Sequence, residues 1–234
     1  MSGDTTVASG QVRIYWIGGG KGGVGKTMVT LATIDHLLEH GQKVVLVECD
    51  TSNPDVSKAY KDLVPTELIN LDEADGWIHL VNLCDRRRDS VVVINTAARN
   101  SLSVKQYGQV LDSCLGELGQ MVALWVINRQ RDSVELLRDF MEAMPHADVH
   151  VVRNGYFGEE RKFEIYNGSK VRELVEGRGG RSVTLPDLAD RVADDIYTQR
   201  LALSAAAKVL PIGNRAELGR WRGEVRKVLA QVVA

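Results

Sequence analysis

Residues 16–31 read WIGGGKGGVGKTMVTL, and this stretch decides the fold. An apolar, β-branched run over 12–17 enters it, and six glycines and two lysines fill it. A helical pattern over 27–40 leaves it, closed by Gly41 where helices commonly end. Gly20, Gly25, Lys26 and Thr27 meet the spacing G-x-x-x-x-G-K-[ST] with a strand before and a helix after, the context that gives this pattern its meaning. Glycines let successive backbone N–H groups turn inward around phosphate oxygens, and the helix start adds the positive end of its dipole. Lys26 is then placed for the β- and γ-phosphates and the Thr27 hydroxyl for Mg²⁺. The second lysine, Lys21, is not explained by this spacing.

Working outward, short apolar runs alternate with helical patterns. The sequence predicts strands at 12–17, 43–47, 90–94, 121–127, 149–153 and 182–185. It predicts helices at 27–40, 73–86, 104–117, 133–144 behind an Asp132 cap, 170–176, 187–199 and 217–233. The strands are continuously apolar rather than alternating, so both sheet faces are covered. The fold class is α/β: a doubly wound, mostly parallel sheet with helices on both faces and ligands at the carboxyl ends of its strands. At 234 residues the chain reads as a single domain, 1–234, with a flexible start over 1–10.

A formal net charge of −2 and a pI near 6.2 exclude a globally basic nucleic-acid binder. Residues 1–119 are net acidic and 120–234 net basic, so any nucleic-acid surface belongs to the second half. Cys49, Cys84 and Cys114 are odd in number and lack metal-ligand spacing, which suits a reducing compartment. No basic segment leads into an apolar one at the start, and no apolar run reaches the roughly 18 residues of a membrane span. A cytoplasmic, soluble protein is expected.

The segment KGGVGKT resembles the deviant Walker A motif of the ParA/MinD superfamily of ATPases, and the order of elements is similar over most of the chain. The resemblance implies a P-loop NTPase fold that takes ATP and Mg²⁺, with Gly20, Lys21, Gly22, Gly23, Val24, Gly25, Lys26, Thr27 and Met28 along the phosphates. It also gives Lys21 a role: in that family the extra lysine reaches across an ATP-dependent homodimer to the partner's phosphates. In ECDTSNPD, Asp50 matches the aspartate that polarises the attacking water and contacts the magnesium shell. The resemblance therefore makes Lys21, Lys26 and Asp50 catalytic, and Thr27 and Asp50 the metal-side residues.

Three positions depart from the family pattern. Glu48 stands where an aspartate is usual, and Met28 where a second threonine often contacts the α-phosphate. VVVINTAAR carries Asn95 where the Walker B aspartate is expected; an amide still accepts a hydrogen bond but lacks the charge that helps hold a cation. Slow hydrolysis is expected, with Glu48 and Asp50 keeping the negative charge that Mg²⁺ requires. Asn128, ending WVIN, resembles the asparagine that reads adenine, and serves equally well as a strand-end turn residue.

Residues 153–170, RNGYFGEERKFEIYNGSK, interleave aromatic and basic side chains, but Glu159, Glu160 and Glu164 dilute the charge. An ordinary structured loop is the preferred reading over a nucleic-acid surface. With the following LPDLADRVADDIYTQRL, this half resembles small ParA-like proteins of plasmid stability and conjugal-transfer regions. The 217–233 segment is amphipathic, with Leu218, Trp221, Val225, Leu229 and Val232 at helical spacing; docking onto the body is preferred over membrane contact. The leading functional reading is an ATP-dependent dimerising switch in plasmid partition, stability or conjugal mobilisation, partnered by DNA or a DNA-binding adaptor. Two others stay open: a nucleotide-gated scaffold with little hydrolysis, and a metabolic ligase of the dethiobiotin or cobyrinate synthetase type.

Overall fold

The structure, a computed structural model, describes residues 11–233; the start expected to be flexible, 1–10, lies outside the described residues. Among these residues seven strands form: β1 (Val12–Gly18), β2 (Val44–Glu48), β3 (Thr66–Leu68), β4 (Val91–Asn95), β5 (Gly119–Ile127), β6 (Asp148–Asn154) and β7 (Ser182–Leu185). Their order is β3-β2-β4-β1-β5-β6-β7, and every pair is parallel. The chain leaves β1 toward β2 on one side, and from β4 it crosses to β5 on the other. The carboxyl ends of β1, β4 and β5 therefore meet at a topological switch point, where this architecture binds ligands.

Among the described residues eleven α-helices pack around the sheet: α1 (Lys26–Glu39), α2 (Asp55–Tyr60), α3 (Ala74–Arg86), α4 (Ser101–Asp112), α5 (Leu115–Leu118), α6 (Arg131–Ala143), α7 (Glu164–Asn167), α8 (Lys170–Gly177), α9 (Asp190–Gln199), α10 (Leu203–Val209) and α11 (Ile212–Leu229). Alternate residues of a strand face opposite sides. Tyr15 and Ile17 accordingly join a cluster with α1, α9, α10 and α11, while Ile14 and Trp16 join one with α3, α4 and α6. Trp16 stacks on Trp77 at 5.8 Å between centroids, and Trp125 meets Phe140 at 4.9 Å. Among the described residues no helix is long and apolar enough to cross a membrane.

The doubly wound parallel fold is as expected; several boundaries are not. The three-residue edge strand β3 and the six-residue α2 are too short to show periodicity. The helix expected over 104–117 starts at Ser101 and breaks after Asp112 into α4 and α5. That expected from 187 begins at Asp190, because Pro186 to Ala189 form an irregular connection leaving β7. Asp132 does not cap α6: the extended residue before the helix is Gln130, and the Asp132 carboxylate bonds Lys21 instead.

The last helix starts at Ile212 behind Pro211, not at 217, and ends at Leu229. Its apolar stripe is inside the molecule, with Leu218, Trp221, Val225 and Leu229 all buried, so this face is not available to a membrane. Trp221 donates its Nε1–H to the Pro186 carbonyl at 2.8 Å, and Arg222 and Arg226 hold Asp35 and Glu39 of α1. Trp221→Ala is expected to cost about 3–5 kcal/mol, the usual range for truncating a buried tryptophan, read as a lower denaturant midpoint at unchanged slope.

Candidate phosphate-binding site

The loop between β1 and α1 turns on glycine conformations. Gly23 and Gly25 have φ of 74° and 104°, the left-handed region that L side chains rarely adopt. A Cβ on Gly25 would also overlap the Asn154 amide. The Lys21 N–H donates to Gly19 O at 2.7 Å, and the Val29 N–H to Gly25 O at 3.1 Å, so the turn runs directly into the helix. Such a turn gathers N–H groups into an anion-binding concavity at a helix N-terminus.

Lys26 spans this concavity. Its Nζ donates to Gly19 O at 3.1 Å and to Lys21 O at 2.9 Å, and the residue is 8% exposed. Burial lowers its pKa to about 8, with the nearby Asp50 carboxylate opposing the shift. Thr27 and Met28 are half-buried in the first turn of α1. Lys21 is placed differently: its Nζ lies on the rim, 2.7 Å from Gln130 Oε1 and 2.6 Å from Asp132 Oδ2, with 40% of its side chain exposed.

Asp50 follows β2 and is half-buried, its Oδ1 accepting from the Asn53 N–H at 3.2 Å. Glu48 does not join it in facing the loop. Its side chain is fully buried, and its carboxylate accepts from Asn95 Nδ2 at 2.8 Å, the Asp50 N–H at 3.1 Å and the Ser57 N–H at 3.3 Å. Burial raises its pKa to about 7, with those donors pulling the other way. The expectation that Glu48 and Asp50 together offer charge to a cation is thus corrected: internal donors engage both Glu48 oxygens. Asn95 is likewise turned inward, its Oδ1 accepting from Thr30 Oγ1 at 2.9 Å.

Asn128, expected at the adenine edge, engages its amide oxygen locally and keeps its NH₂ free of these bonds. Its Oδ1 is taken by the Gln130 N–H at 2.9 Å and Ser133 Oγ at 2.8 Å, at the entry to α6, and it lines a separate groove with Arg129 and Phe157. The asparagine that lies against the phosphate loop is Asn154, one strand over, donating Nδ2–H to Val24 O at 2.8 Å. Asn154 lines a groove of about 440 Å³ with Gly25, Met28, Tyr156, Pro186 and Asp187. The signal for it was present, since VHVVRN ends as WVIN does, in an apolar run closed by asparagine. Arg99 is a second residue that sequence reasoning missed. From the loop after β4 it bonds Asp72 Oδ2 at 2.6 Å, Ser52 Oγ at 2.8 Å and Thr51 Oγ1 at 3.3 Å, tying that loop to the one carrying Asp50.

A glycine loop between a buried parallel strand and a helix, a lysine across its mouth and a carboxylate at the end of a nearby strand define a P-loop nucleotide-binding α/β protein. Residues 15–153 match the family model CbiA, described as the CobQ/CobB/MinD/ParA nucleotide binding domain, and the chain belongs to this family. Protein MobD of Acidithiobacillus ferrooxidans is 67% identical over 221 residues, covering 94% of this chain and 97% of that protein. Among solved structures, the MinD cell division protein of Aquifex aeolicus superposes with a TM-score of 0.53 at 14% identity, over 93% of this chain and 97% of that one. The MinC:MinD cell division protein complex of the same organism gives 0.51 at 14% identity, over 90% and 94%. At such identities the likeness is one of fold. The ParA/MinD resemblance read from KGGVGKT holds.

Proposed function

We propose that the protein is an ATP-dependent dimerising switch that hydrolyses ATP slowly and acts in plasmid partition, stability or conjugal mobilisation. The observation that carries this reading is the contrast between the two lysines of one loop. Lys26 is buried across the concavity and serves its own subunit's phosphates. Lys21 sits on the rim, held by exposed partners, and an exposed ion pair is worth only about 0–1 kcal/mol, so Lys21 swings outward at little cost to meet a second subunit's phosphates. Asn154, Tyr156 and Pro186 give the base and ribose a groove within the 300–1,000 Å³ range typical of small-molecule sites. A relative named MobD at 67% identity favours mobilisation over the metabolic-ligase reading. DNA or a DNA-binding adaptor is the partner that fits that role.

The Thr27 hydroxyl and Asp50 carboxylate are hard oxygen donors, a set that fits Mg²⁺ with most of its shell left to water and phosphate. Bound there, the ion neutralises phosphate charge during transfer. Lys26 holds the β- and γ-phosphate oxygens, Asp50 orients and polarises the attacking water, and Lys21 of the opposite subunit completes the charge balance. The inward-turned Asn95 also favours a second reading, a nucleotide-gated scaffold that dimerises with ATP but scarcely turns it over. Light-scattering mass in ADP, in ATP and in a slowly hydrolysed analogue tests the switch, and phosphate release on the same samples separates the two readings. A mass that ignores nucleotide would remove the proposal.

Two graded outcomes follow from the loop. Asp132→Asn removes the charge that retains Lys21 on its own subunit, and a symmetric dimer releases two such pairs, so dimers should form at up to about thirtyfold lower protein concentration in ATP, read by sedimentation. Lys26 must be protonated to hold phosphates, and free of nucleotide its pKa is about 8. Phosphate contact raises that value, so ATP affinity should be flat below pH 7 and fall as pH rises through 8, with proton uptake on binding near pH 8.5. Calorimetry in buffers of different ionisation enthalpy measures that proton.

A further inference from the structure

We infer that Asn95 is the donor half of a buried amide–carboxylate pair with Glu48, and that this pair positions the Asp50 loop. Glu48 and Asn95 are direct register partners on the parallel strands β2 and β4. Both are buried, at 0% and 3% exposure. A carboxylate only accepts, so the Asn95 amide must present its NH₂ to Glu48, and its oxygen is left to receive the Thr30 hydroxyl. One chain of bonds therefore runs from α1 through β4 to β2.

That chain continues into the catalytic loop. The Glu48 carboxylate receives the N–H of Asp50 at one end of the loop and the N–H of Ser57, in the first turn of α2, at the other. One side chain fixes both ends of the segment that carries Asp50, and Asn95 holds that side chain in place. Charge-assisted hydrogen bonds of this kind are stronger than neutral ones, and buried they specify geometry. Asn95 is in this sense a positioning residue, and the asparagine and glutamate explain each other. An aspartate at 95 would set two carboxylates at hydrogen-bond distance, so that they either repel or must take up a proton, and the amide's fixed donor is lost in both cases.

The test exchanges the two groups without changing their shapes: Asn95→Asp, Glu48→Gln, and the reciprocal double variant, in which a glutamine amide again faces a carboxylate. Thermal unfolding, ADP binding, and kcat and KM for ATP are measured on all four proteins. Each single variant should lower the unfolding midpoint by about 5 °C and kcat by about tenfold with little change in KM. The double variant should recover more than half of both losses. Asn95→Asp with an undiminished midpoint and raised kcat would overturn the inference, because Asn95 would then be only a missing acid. Losses that simply add in the double variant would overturn it too. If Asn95→Asp does not fold, a folded double variant upholds the pair and an unfolded one overturns it. The kcat arm rests on the ATPase reading. A wild type that neither binds nor hydrolyses ATP refutes that reading, while the unfolding cycle still decides the pair.

Discussion

Lys21→Ala is expected to leave the protein at its monomer mass in ATP, under conditions where the proposed switch doubles. Each subunit of a symmetric dimer lends one Lys21 to its partner, so the substitution removes two charged contacts from one interface. Losing one partner of an enclosed hydrogen-bonded charge pair costs roughly 2–5 kcal/mol, so two such losses weaken the dimer by more than about 10³-fold. ATP binding to the single subunit should change little, because on the proposed reading Lys26 makes the contacts within the subunit, and the Gln130 and Asp132 partners of Lys21 are exposed. Light scattering for the mass and a fluorescent nucleotide for the affinity separate the two effects. A variant that still doubles its mass in ATP would strip Lys21 of its role in the partner's site.

Asp50→Asn is expected to cut phosphate release by roughly 10²–10³-fold while ATP still binds and dimers still form. The amide keeps the shape of the carboxylate and the acceptor for the Asn53 N–H, so the turn survives. It cannot attract a proton from water, and general-base assistance of that kind is worth about 10²–10⁴-fold. A secondary effect has a definite sign. The Asp50 charge supports the protonated form of Lys26, so its removal moves the pH limit of ATP binding to lower values. Single-turnover phosphate release, with binding measured across pH 7–9, checks both. Turnover within a few-fold of wild type would assign the water to another residue.

The phosphate loop was legible because its geometry makes demands that few residues meet: left-handed turns at Gly23 and Gly25, then a lysine at fixed spacing. The sheet was legible because strands buried on both faces read as unbroken apolar runs. What the sequence did not carry was adjacency. Asn128 and Asn154 end neighbouring parallel strands in the same way, and only strand order and the entry to α6 decide which one lies against the loop. The Glu48–Asn95 bond joins residues 47 apart and the Arg99–Asp72 pair residues 27 apart, distances at which periodicity carries no information. The contacts Lys21 makes within its own chain, to Gln130 and Asp132 at the start of α6, lie more than a hundred residues away and were equally hidden.

The ionic clasp between α1 and α11 also bears on how the molecule moves. α1 begins at the phosphate loop, and Asp35 and Glu39 toward its far end are gripped by Arg222 and Arg226. A helix moored at its tail and packed along its length is a pier: the nucleotide's phosphates land on something that does not yield. The neighbouring Asp50 loop is tied at both ends to Glu48 and joined by Arg99 to the loop after β4.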